Sequence, residues 1–202
     1  LSLEKNELCQ IHLNTKVTQL QQNADNQWQL NCIEQDIEKE YCFDYLINAA
    51  GFKTGEIDDL AGFHRQRLVE FKAAYVTQWA GTEGLWPEVI FHGTRGTPQG
   101  MAQFTPYADN LVQLHGMTDQ ITLFENGLVA SAKNSSQPQL DSTLLKKIDH
   151  GWLNQEISIR GQRAIDHLAR YIPTFKEAHV AGKPLFGAQQ IPGEDASLRT
   201  GG

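Results

Sequence analysis

The sequence predicts an α+β fold: a mixed, largely antiparallel sheet with helices on one face, preceded by a small β-meander. Three observations carry this reading. Apolar and polar residues alternate with period two at the start and in the middle of the chain. Apolar residues at helical spacing gather after Asp141. The resulting order is strands, then a sheet, then helices, then a last strand.

Ile11 to Leu20 is apolar at Ile11, Leu13, Val17 and Leu20, with a break suited to a turn or bulge at Asn14-Thr15. Asn23 to Asn26 is turn chemistry, because short polar side chains bond their own backbone. Trp28, Leu30 and Cys32 then alternate with polar neighbours, giving a strand with one buried face. A charged turn covers Glu34 to Lys39, and Tyr41, Phe43 and Tyr45 share one parity. Tyr45 to Gly51 is a short apolar run ending in small residues, the pattern of a buried parallel strand.

Further along, Phe71 to Trp79 and Val89 to Phe91 are strands. Gly100 to Thr105 and Leu111 to Met117 form a hairpin around Pro106 to Asn110, where Pro, Asp and Asn favour a turn. Leu144, Leu145, Ile148 and Trp152 mark one helix, capped by Asp141 or Ser142. Ala164, Ile165, Leu168, Ala169 and Ile172 mark a second, stopped by Pro173. Ala181 to Pro192 is extended.

Composition excludes several function classes. Seventeen Lys and Arg against twenty-four Asp and Glu give a net charge of −7, which argues against nucleic acid as a partner. No apolar run reaches the roughly 20 residues of a membrane-spanning helix, and there is no signal-peptide pattern. Cys9, Cys32 and Cys42 form no C-x-x-C and read as reduced, buried thiols of a cytoplasmic protein. The chain opens without Met and closes on Gly201-Gly202, so it reads as a piece of a longer protein, a processed complete chain being the alternative.

Phe43-Asp44-Tyr45-Leu46-Ile47-Asn48-Ala49-Ala50-Gly51, after a meander, resembles FAD-dependent oxidoreductases of the D-amino-acid oxidase and glycine oxidase superfamily. Tiny side chains there let a cofactor approach the backbone. Asn14 to Leu20 resembles the segment whose Val backbone meets adenine in that family, here Val17. Gln103 to Tyr107 with Leu111 to Thr118 looks like its hairpin over the flavin. Arg170 to Phe175 is similar to its helix end before the last substrate-domain strand, and Leu185 to Asp195 stands in the place of its "Gly, Arg-Pro, Asp-Gly" stretch.

The resemblance implies residues 1–62 as part of an FAD-binding domain and residues 63–202 as a substrate-binding domain. It implies FAD contacts at Val17, Ala49, Ala50 and Gly51. It also implies a small-molecule substrate, from which hydride leaves a C–H next to an amine or hydroxyl. The family's amino-terminal G-x-G-x-x-G turn, which seats the pyrophosphate, has no counterpart here, and neither does its final flavin-contacting segment. The isolated chain is therefore expected to bind FAD weakly or not at all. The sequence sets neither oligomeric state nor electron acceptor.

Gln103, Thr105, Gln113 and His115 share one parity, so one face of the hairpin is polar. The expected pocket has Gln103, Tyr107 and His115 on one wall and Gln189 and Gln190 opposite. His115 reads either as a substrate ligand or proton shuttle, or as a half-buried histidine bonded to backbone. Gln103 and Tyr107 read either as substrate ligands or as turn packing. Gln189 and Gln190 stand where amino-acid-oxidising members place a carboxylate-clamping Arg, so a neutral or hydroxylated substrate is expected. Arg95 reads as an anion receptor or a solvated loop residue. Asp58-Asp59 and Glu194-Asp195 read as capping carboxylates in turns. There is no G-x-S-x-G elbow and no paired metal-ligand spacing among the histidines. The alternative to an enzyme is a non-enzymatic ligand-binding or interaction module on the same sheet.

Overall fold

The computed structural model describes residues 8–82, 86–94, 97 and 100–191. Arg95, Glu194-Asp195 and the chain ends lie outside the described residues. The chain divides into two compact units, residues 1–66 with 132–137, and residues 67–131 with 138–202.

The first unit holds an antiparallel meander of β1 (Thr15–Gln22), β2 (Trp28–Glu34) and β3 (Ile37–Phe43). Asn14 takes a positive φ just before β1, and the register shifts between Val17 and Gln19, so the expected break is a turn followed by a bulge. Asn23 shapes the first connection: its Oδ1 accepts the backbone N–H groups of Asp25 and Gln27 at 3.0 and 2.9 Å. Gln35 and Asp36 both have positive φ, a two-residue turn whose twist suits a tight hairpin. Leu20, Leu30 and Cys32 form the buried core of the meander, with Val17, Trp28 and Leu46 against them.

Tyr45 to Gly51 departs from the expected buried parallel strand. Residues up to Ala50 form no ladder, and Tyr45, Ile47, Ala49 and Ala50 are exposed. A parallel strand needs a neighbour running in the same direction, and every strand pair among the described residues is antiparallel. The sheet is accordingly antiparallel there rather than mixed. A short 3-10 turn, Gly51–Lys53, then leads into α1 (Thr54–Leu60). Asp58-Asp59 lies in this helix, not in a turn. Asp59 accepts from Ser135 Oγ and the Ser136 backbone N–H, both at 2.7 Å, which fastens the return segment 132–137. Gly55 is required there, because a Cβ would collide with the Ser136 carbonyl.

Cys42 departs from expectation too. Cys32 is buried, but Cys42 is exposed, because it pairs with Gln29 on the outer face of the meander. All three thiols are free.

The second unit is a seven-stranded sheet built on β4 (Leu68–Gln78). Its other strands are β5 (Val89–Phe91), β6 (Ala102–Pro106), β7 (Leu111–Gly116), β8 (Leu128–Ala130), β9 (His179–Val180) and β10 (Leu185–Ile191). The order is β10-β4-β7-β6-β5, with β8 and β9 also paired to β4. α2 (Ser142–His150) starts at Asp141, whose carboxylate accepts the Thr143 N–H at 2.7 Å. It stops at Gly151, one residue short of Trp152. α3 (Asn154–Ala169) begins a full ten residues before the apolar stripe that announced it, and Pro173 opens a 3-10 turn after it.

α3 packs on one face of the sheet. Ala164, Ile165 and Leu168 meet Ala73, Tyr75, Phe104, Val112 and Leu114 in one buried cluster with Phe175. Gly161 lets the helix approach β9, since a Cβ there would sit 2.6 Å from Val180. With α3 on one face, alternate residues of β4, β6, β7 and β10 point to the other.

Candidate functional site

Strand register brings the polar hairpin residues together. Gln103 stands opposite His115, and Thr105 opposite Gln113, on the sheet face away from α3. The next strand adds Lys72 and Ala74, and β10 adds Leu185, Gly187 and Gln189. A cleft of about 270 Å³ lies on this face, lined by Lys72, Gln113, His115, Phe186, Gly187 and Gln189 among others.

The side chains here are linked. Tyr107 Oη donates to Gln113 Oε1 at 2.7 Å. Gln113 Nε2 lies 2.7 Å from His115 Nε2. Burial, then the nearby Lys72 charge, push the His115 pKa down to about 4 against a smaller opposing pull from Glu88. The imidazole is thus neutral near neutral pH. Beside it, Glu88 accepts from Gln103 Nε2 at 2.8 Å and from Thr105 Oγ1 at 3.2 Å. Glu70, opposite Gln189 in the register, is 2% exposed.

The structure therefore brings Tyr107, Gln113 and His115 into one chain of contacts and places Gln189 on the same cleft. Gln103 neighbours His115 but is engaged by Glu88. Gln190 does not join them: it pairs with Val69 and so lies on the opposite face from Gln189. Adjacent residues of a strand cannot both face one pocket. Sequence reasoning missed Lys72, Glu70 and Glu88. The first two carry the parity signal of β4 that exposes Lys72 and Gln189 together, but Glu88 lies in a loop with no such pattern.

In the first unit, Val17 sits at the bulge of β1, half-buried against the meander core. Ala49 and Ala50 are exposed. Gly51 has φ +60°, and a Cβ there would meet nothing within 4 Å. Asn48, unremarked in the sequence, shapes this turn. Its Oδ1 accepts the Ala50 N–H at 3.3 Å, and its Nδ2 donates to the Thr54 carbonyl at 3.0 Å and to Asp58 at 3.2 Å. These three contacts hold the small-residue backbone facing outward.

A larger cleft, of about 540 Å³, lies beside the end of α3 between Thr118, Asp119, Arg163, Asp166 and Arg170. Its two cations are matched by two carboxylates. Its buried histidine, His167, is occupied on both ring nitrogens: Nε2 donates to the Gly100 carbonyl at 3.0 Å, and Nδ1 accepts from Arg170. Among the described residues no group of three His, Cys, Asp or Glu could hold a metal ion. No helix among them is long and apolar enough to cross a membrane.

No protein-family model matches the chain. No curated protein matches it. Among solved structures it is similar to CmlS, a flavin-dependent halogenase, with 14% identity and a TM-score of 0.47. That match covers 87% of this chain and 27% of the other, so the chain spans about a quarter of that enzyme's length.

Proposed function

We propose that this chain is the substrate-binding portion, with part of the cofactor domain, of a flavin-dependent oxidoreductase. The observation that carries the reading is the polar cleft on the sheet face away from α3. There the hairpin predicted to lie over a flavin brings Tyr107, Gln113 and His115 into contact beside Gln189. Buried polar groups need partners, and a cleft lined by them suits a ligand.

The residues in the first unit fit the cofactor in one respect. Ala49, Ala50 and Gly51 offer an exposed backbone almost free of side chains, with open space at Gly51. With Val17, they are the residues that would hold FAD. Bound FAD would supply the two-electron acceptor for a C–H bond next to an amine or hydroxyl. The chain's own work is binding and orientation. Neutral His115 and Gln189 would hold polar groups of the substrate, and Lys72 would set the local field. The absence of an Arg fork in this cleft favours a substrate that does not demand bidentate carboxylate recognition. Three free thiols suit a reducing compartment such as the cytoplasm.

The test uses the native protein. Ala50→Leu, at an exposed position, should lower the flavin content at an unchanged thermal midpoint. His115→Ala should leave flavin content intact and raise KM or lower kcat. Losing one hydrogen bond corresponds to about 0.5–1.5 kcal/mol. Native protein without flavin, or Ala50→Leu with a full complement, would defeat the flavin reading and favour a binding module.

A further inference from the structure

We propose that Gln113 is a positioning residue that locks neutral His115 in its Nδ1–H tautomer, so that the ring offers one fixed N–H donor to an acceptor oxygen of a ligand in the cleft. The ligand's being the substrate rests on the function proposed above. The tautomer does not.

The Tyr107 hydroxyl has one proton, and it is given to Gln113 Oε1. The amide is oriented with its oxygen to the hydroxyl, and its NH₂ end faces His115 Nε2 at 2.7 Å. A donor at that distance needs a lone pair, so Nε2 carries no proton. A neutral ring then carries its proton on Nδ1, which has no protein partner among the described residues. The groups facing the ring agree with a neutral state. Lys72 on β4 opposes a positive imidazole, while Glu88, ahead of β5, accepts from Gln103 and Thr105. The rim adds Gln189 from β10 and Tyr107 from the hairpin turn.

The consequence is a sense of recognition. At the ring, an N–H donor beside the Lys72 charge selects a group that accepts hydrogen bonds, a carbonyl or carboxylate oxygen. A ligand presenting only N–H donors, such as a simple ammonium, finds a donor and a like charge instead.

The tautomer is read directly from the two ring-nitrogen resonances in protein labelled with ¹⁵N-histidine, near neutral pH. Wild type is expected to show a protonated Nδ1 and a bare Nε2 at His115. Gln113→Glu replaces the donor by a carboxylate, which only accepts, so Nε2 should gain a proton. A purely structural role for Gln113 would not reverse the ring. A wild-type Nε2–H ring, or an unchanged pattern in Gln113→Glu, overturns the proposal. Acetate and acetamide are then added separately, with methylammonium as the control. A shift of the His115 Nδ1–H with acetamide supports a neutral carbonyl ligand, and a shift with acetate alone supports an anionic one. No shift with either, or a shift with methylammonium, overturns the ligand half. Protein that lacks flavin yet shows the Nδ1–H ring would leave this inference standing while the flavin reading falls.

Discussion

In the three-stranded meander the enclosed apolar side chains are Leu20, Leu30 and Cys32. In the seven-stranded sheet they include Tyr75, Phe104, Phe175, Leu114 and Ile165. The meander compensates with polar cross-strand contacts. Gln21 donates to Gln29 at 2.8 Å, Gln29 to Glu40 at 2.6 Å and Asn31 to Gln19 at 2.7 Å. Such exposed pairs each contribute little, so the meander relies on its turns and on α1, whose Ile57 and Leu60 pack against its core. The larger sheet has a surplus of aromatic packing beneath it. Trp79 lies tilted against Phe175 with ring centroids 4.8 Å apart, and Phe91 lies nearly parallel to Tyr171 at 4.4 Å. That one-sided core is what allows its other face to remain polar. A sheet can carry a site on one side when the opposite side alone holds it together.

The largest effect is expected from Phe104→Ala. Phe104 is fully buried, and truncation should destabilise the second unit by about 3–5 kcal/mol in chemical denaturation. A cost under about 1 kcal/mol would show that the aromatic core does not support the open face.

The next test concerns acid. His115 titrates near 4 when folded, below its ordinary value of 6.5, because burial and Lys72 disfavour the charged ring. The unfolded chain therefore binds more protons between those values. Stability is full above pH 6.5, falls as the pH drops toward 4, and is flat with respect to this group below it. The total loss is about 3 kcal/mol. His115→Gln should remove that slope, seen by thermal melts across the range. An identical slope in the variant would assign it to other groups.

Gly55→Ala addresses the first unit, where a Cβ would strike the Ser136 backbone. Overpacking of this kind costs about 1–3 kcal/mol, and the loss should fall on amide-exchange protection in the meander and α1, sparing β4 and β7. Equal loss in both units would make them one cooperative body. The smallest effect is expected from Glu34→Gln, which removes contacts to Lys39 and His12 on the meander surface. Its small shift in midpoint should vanish in concentrated salt, as screened surface pairs do.

The hairpin of β6 and β7 was legible because its polar and apolar residues alternate without exception from Ala102 to Thr105 and from Val112 to His115. One buried face leaves only one register. Gln189 and Gln190 were expected together because the resemblance sets both in the place of one Arg; the alternation of β10 puts Gln189 on the cleft and turns Gln190 to the opposite face. Tyr45 to Gly51 was misread because an apolar run without alternation has no built-in face, and only its neighbours decide whether it pairs. β8 and β9, of three and two residues, are too short for any period to show. The roles of Asn48, quoted only as part of a motif, and of Asp59, read as a turn cap, were hidden for another reason. Both bond backbone or side chains that the turn or the distant return segment brings to them, and no local pattern encodes that.

The return segment 132–137 makes the first unit discontinuous in sequence. Arg65 N–H meets Ser136 Oγ across 71 residues, and Gln137 Nε2 meets the Phe52 carbonyl across 85. Closing loops of that length costs entropy before the contacts repay it, which slows folding. During synthesis, α1 emerges before the second unit yet waits for half of that unit to be translated before its partners Ser135 and Ser136 exist. The first unit is thus begun before the second and completed only after half of it, and a ribosome paused between Gln66 and Ala132 would hold α1 with its carboxylate, Asp59, still without Ser135 and Ser136.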